Sequence, residues 1–133
     1  MPNIGIGASD GSGSHIEILA SSQFELRSIT VDTSCRDTGN TTTTNLRRGL
    51  LLAPDSAVAN RFIPADHNDA SINDDQAVVL AEDVYDIDDG HQVVKAFWKC
   101  TLKNGRLIDP NTSFGNAAYA IPASRILIDE LSG

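Results

Sequence analysis

The chain has 133 residues, 41% of them hydrophobic, which suits one compact domain with a modest core and not two. Its 18 Asp and Glu outnumber 10 Lys and Arg, for a formal charge of -8, and a surface that acidic repels phosphates and anionic membranes. Direct nucleic-acid binding is therefore not expected, and the mildly basic stretch through Lys95, Lys99, Lys103 and Arg106 is the one departure from the acidic trend that concentrates in residues 51–92.

Residues 1–15, MPNIGIGASDGSGSH, are rich in Gly and Ser, with Ile4 and Ile6 the only aliphatic side chains after Met1. So little apolar content does not offset the entropy of ordering, and the composition predicts a flexible arm. Such an arm is either an inert tail or a hook that orders on a partner's sheet edge, with Ile4, Ile6, Ile16 and Ile18 as the side chains that would meet the partner. The arm has no basic n-region and no apolar h-region, so no signal peptide is expected. No apolar run reaches transmembrane length. The cysteines, Cys35 and Cys100, have neither CxxC nor Cys/His spacing, and two reduced thiols in a protein assembled in a cytoplasm are expected.

A single domain is predicted over residues 16–133. In IEILASSQFELRSITVD the apolar alternation changes phase at Arg27 and Ser28, as a β-bulge or a bend between sheets would require. DTSCRDTGNTTTTN reads as a long surface loop of the kind often used for contact. A strand follows Gly49 in LRRGLLLA, and Pro64 limits NRFIP to a short or edge strand. AVVLA at 77–81 is a continuous apolar run suited to a central strand buried on both faces.

HQVVKAFWKCTLKNGRLID carries the clearest local pattern. Val94, Ala96, Trp98, Cys100 and Leu102 form one apolar face, and Asn104-Gly105 favours a two-residue type I′ turn into a hairpin partner at 106–108. Trp98 is expected in the core. Phe97, between Lys95 and Lys99 on the opposite face, is either covered by another part of the chain or available as an interface residue. Residues 116–121 suit one or two helical turns, and 126–128 a closing strand.

Chemical motifs are weak. EDVYDIDDGHQ gathers Glu82, Asp83, Asp86, Asp88 and Asp89 near His91, but counting back from Gly90 places Ile87 and Tyr85 where an EF-hand loop needs ligands. A solvated acidic turn between strands fits better. Ser9 and Ser12 lie in the arm, so GxSxG-type chemistry has no strand-to-helix context. No catalytic residue, cofactor or metal site is expected.

The order of segments across residues 45–130 resembles the phage head decoration proteins of the lambda gpD-like family. The matching features are the arginine-Gly-aliphatic run at 48–52 and the apolar-acidic run VVLAEDV at 78–84. They continue in the valine-rich strand that ends in a turn at Gly105 with Leu107 and Ile108, and in the tail at 117–121 and 126–128. The resemblance implies a mainly β fold, a β-clip (β-tulip)-like small barrel-like domain with one or two short helices. It also implies a homotrimer on the outer surface of an expanded tailed-phage capsid, bound to the major capsid protein, with arms that order on binding. Arg47 and Arg48 then become candidate interface residues alongside Phe97. The loop at 33–45 and the length of the region before residue 45 depart from the family pattern. Two other readings stand beside it: a phage adhesion or carbohydrate-binding β module, and a small cation-dependent hydrolase using Asp83, Asp86 and Asp88.

Overall fold

The computed structural model describes residues 18–65, 74–103, 105–108 and 125–129. The predicted arm, Ile4, Ile6 and Ile16 within the N-terminal segment, and the helical turns expected at 116–121 lie outside the described residues.

The chain is mainly β, as predicted. Its six strands, β1 (Glu25–Val31), β2 (Leu51–Pro54), β3 (Phe62–Pro64), β4 (Val78–Leu80), β5 (Gln92–Lys103) and β6 (Ile126–Asp129), form one mixed sheet in the order β1-β3-β2-β4-β5-β6. β2 pairs antiparallel with β3 and β4, and β4 with β5. β1 touches β3 in parallel at Val31 and Phe62, and pairs antiparallel with β5 from Leu26 opposite Phe97 to Val31 opposite Gln92. The pairings of β1, β3, β2, β4 and β5 therefore close a ring, with β1 and β3 meeting at a single pair. β6 runs parallel to the second half of β5.

Ring closure gives the sheet two buried faces. Val31, Leu52, Phe62, Leu80 and Ala96, one from each ring strand, belong to a single inner cluster that Cys35, Leu46 and Ile87 complete. Leu51, Val79 and Phe97 point to an outer cluster, where Ile18, Leu102 and Ile126 pack over them. The run at 77–81 is accordingly buried on both faces, with Val78 and Leu80 in the inner cluster and Ala77, Val79 and Ala81 in the outer. β4 lies between β2 and β5, the central position its composition predicts.

The same two clusters explain the phase change in β1. Leu26 packs against the outer cluster, whereas Ile29 and Val31 enter the inner one. No bulge falls at Arg27 and Ser28, because residues 26–31 pair without interruption. The irregularity comes one step earlier: Leu26 opposes Phe97 while Glu25 opposes Lys99, leaving Trp98 as the extra residue in β5. A bulge of this kind flips the strand's phase. Val94, Ala96 and Trp98 thus meet the inner cluster, but Cys100 and Leu102 meet the outer one, so the single apolar face expected of this strand is split.

Two further expectations are corrected. The turn after β5 forms, with Gly105 at φ 79° and the Arg106 amide donating to the Lys103 carbonyl at 3.2 Å, yet residues 106–108 do not return along β5 as a hairpin. Instead Ile108 bridges Leu50 in parallel, its amide donating to the Gly49 carbonyl at 2.9 Å, because β6 already occupies that part of β5. The 33–45 loop is also no loose surface excursion. Cys35 and Asp37 within it are both fully buried.

Candidate functional site

The structure places the predicted site residues in different settings. Phe97 is fully buried in the outer cluster, edge-on to Phe24 with ring centroids 5.4 Å apart, so of its two alternatives the chain covers it itself. Ile18 is likewise packed into that cluster.

Arg47 and Arg48 are engaged within the chain, each with an aspartate. Asp37 is 0% exposed, and Arg47 holds it through Nε to Oδ2 at 2.7 Å, Nη2 to Oδ1 at 2.8 Å and its own amide to Oδ2 at 3.1 Å. This two-pronged pairing of guanidinium and carboxylate is the strong form of an ion pair, and it raises the Arg47 pKa above its ordinary value. Arg48 repeats the arrangement on Asp83, with the amide donating to Oδ1 at 2.9 Å and Nη2 to Oδ2 at 3.0 Å. Both arginines sit where residues 46–50 cross the 80–84 segment, joined by reciprocal amide bonds between Leu46 and Val84 at 2.7 and 2.9 Å. Gly49 is required there: its φ is 97°, and a Cβ would collide with the Arg106 carbonyl oxygen.

The acidic segment is dispersed by these contacts. Asp83 serves Arg48, Glu82 accepts the Lys95 amide at 2.8 Å, and Asp86 adopts a left-handed conformation with its amide on the Asn45 side chain. Among the described residues no group of three or more His, Cys, Asp or Glu side chains is placed to hold a metal ion. His91 accepts the Thr33 amide at Nδ1 (3.1 Å), and the Ser34 amide on Asp32 draws that carboxyl below its usual range. Burial pushes the thiols of Cys35 and Cys100 up to about 12, so both are protonated at neutral pH.

The other charged locus was not legible in advance. The guanidiniums of Arg27 and Arg125 both lie over the Trp98 ring, 4.0 and 3.5 Å from its centroid. The bulge turns this ring out of the regular alternation, leaving it half-buried rather than enclosed in the core. Arg125 also donates Nη1 to the carbonyls of Trp98 (2.7 Å) and Ala77 (3.1 Å), and Nη2 to that of Asp75 (2.8 Å). Desolvation, with the Arg27 charge nearby, lowers its pKa. Beside it Ser21, Gln23, Lys99, Thr101 and Leu127 line a groove of about 180 Å³. A second groove of about 260 Å³, lined by Leu19, Ala20, Ser22 and Phe24, continues past Ser21. A lone arginine after a long polar stretch carries no periodic signal, and only the spacing of Lys95, Lys99 and Lys103 hints at a basic surface.

The chain enters this region through residues 18–20. Leu19 bridges Leu102 antiparallel, and the Ala20 amide donates to the Thr101 carbonyl at 2.8 Å, so the N-terminal segment is rooted beside both grooves. No family model, no curated protein and no solved structure matches the chain.

Proposed function

We propose that the chain is a structural virion protein that binds the outer surface of a tailed-phage capsid as a homotrimer and stabilises the expanded head through the major capsid protein. The ordered resemblance across residues 45–130 and the closed mainly β ring support this reading. The observation that carries it is the rooting of residues 18–20 against the C-terminal half of β5. An arm attached at a fixed, buried point transmits load from whatever it grips to the folded domain. Three such arms on one trimer would convert weak single attachments into tight cementing.

The test is co-sedimentation of the full chain and a variant lacking residues 1–15 with expanded and unexpanded shells. Circular dichroism and sedimentation equilibrium report folding and trimer formation of both. The truncated protein is expected to fold, and to bind expanded shells at least about tenfold more weakly than the full chain, since multivalent attachment amplifies each lost contact. Equal binding by both would make the arm an inert tail. Failure of the full chain to bind either shell would end the capsid reading.

A further inference from the structure

We propose that the groove between Ser21 and Gln23 on one side and Arg125 and Leu127 on the other is a docking site for an extended acidic segment of a partner protein, whose carboxylates meet Arg125 and Lys99. The inference does not depend on the capsid reading.

Among the described residues the groove brings two cations together with no carboxylate in its lining, on a chain whose formal charge is -8. Glu25 stands opposite Lys99 in the strand register, but its carboxylate is held by Arg27 at 2.9 Å. Among the described residues neither Lys99 nor Arg125 has a salt bridge. Arg125 is costly to place as it is. Among the described residues its guanidinium, partly withdrawn from water, shares the Trp98 ring with a second guanidinium and donates to neutral carbonyl oxygens alone. An arriving carboxylate would relieve that repulsion, and in a partly desolvated setting the attraction exceeds that of a surface pair.

The remaining lining selects the kind of anion. Ser21, Gln23 and Thr101 offer hydroxyl and amide groups suited to a peptide backbone, and Leu127, 49% exposed, offers an apolar contact between charged positions. A nucleic acid or an anionic membrane would bring many charges against the acidic remainder of the surface and be repelled at long range, whereas a short peptide with a few carboxylates is drawn in locally.

Trp98 is the only tryptophan and lies against Arg125, so its emission reports on an anion reaching that guanidinium. The full chain would be titrated with a pool of short capped peptides alternating Asp or Glu with Leu or Val, and with an isosteric pool carrying Asn and Gln. The acidic pool is expected to give a saturable change that weakens as salt is raised, with the amide pool inert. Lys99→Glu, an exposed strand position whose fold is checked by circular dichroism, should weaken binding at least about tenfold. The proposal is overturned by a wild-type chain indifferent to the acidic pool, by equal response to the amide pool, or by undiminished binding in Lys99→Glu. Tighter binding of inorganic phosphate or a single-stranded oligonucleotide would overturn it too, by making the site a phosphate site.

Discussion

The two halves of β5 treat charge differently. Near its start, several charges have dedicated partners: Asp37 with Arg47, Asp83 with Arg48, Glu82 with the Lys95 amide. Around the bulge, Arg27 and Arg125 share an indole, and Glu25 sits in a pair about half exposed on each side. The first arrangement locks loops onto the ring. In the second, charge is held at the surface where a partner can reach it.

The sharpest way to break this contrast is to remove one acid from each side. Asp37→Ala leaves a guanidinium partly buried without its carboxylate, and should cost about 3 to 5 kcal/mol in urea unfolding, with part of the loss recovered when Arg47→Met is added. Glu25→Ala, at a solvent-screened pair, should cost less than about 1 kcal/mol. Similar losses at both sites would erase the distinction.

Gly49→Ala probes the clamp through the backbone rather than through charge. With a left-handed φ and the Arg106 carbonyl in the way, it should lose about 1 to 3 kcal/mol by thermal unfolding. Unchanged stability would mean that the crossing of 46–50 over 80–84 is pliant.

The last expected effect is absent at neutral pH, appears only in alkali, and concerns the two clusters, each of which encloses one thiol. Both folded-state pKa values are raised from 9.0 to about 12, so the native protein keeps protons that the unfolded chain releases. Their contribution is complete below about pH 9 and is lost as pH rises toward about 12, by at most about 1.4 kcal/mol per pH unit per thiol. Stability measured across that window should fall less steeply in a Cys35→Ala, Cys100→Ala double variant. An identical slope would place the thiols in contact with water.

What the sequence could convey depended on whether a signal was local. The continuous run at 77–81 announced a strand buried twice over, and the polar punctuation around it marked its ends. The alternation in β5 was readable only as far as Trp98, because a bulge is decided by the partner strand and not by the strand itself. Phe97 was left with two alternatives for the same reason: its neighbours Lys95 and Lys99 lie on opposite sides of the phase change. The loop at 33–45 hid its anchors because an ion pair ten positions apart, Asp37 to Arg47, has no periodicity. Arg125 meets Trp98 across 27 positions through the fold alone.

Closure of the ring also sets an order of events in folding. The seam between β1 and β5 joins residues as remote as Ser28 and Lys95, whose side chains bond at 2.8 Å across 67 positions of chain. Contacts that distant return nothing until a long loop has been immobilised, so the β2, β3 and β4 neighbours should assemble first and the seam zip last. In a chevron analysis, substitutions at the paired Ile29 and Val94 should then accelerate unfolding while leaving the folding limb nearly unchanged, and substitutions at Leu52 or Val78 should slow folding. Until the seam closes, β1 and β5 each present an unsatisfied edge, which makes the newly made chain most prone to aggregation in the interval before its last strands have paired.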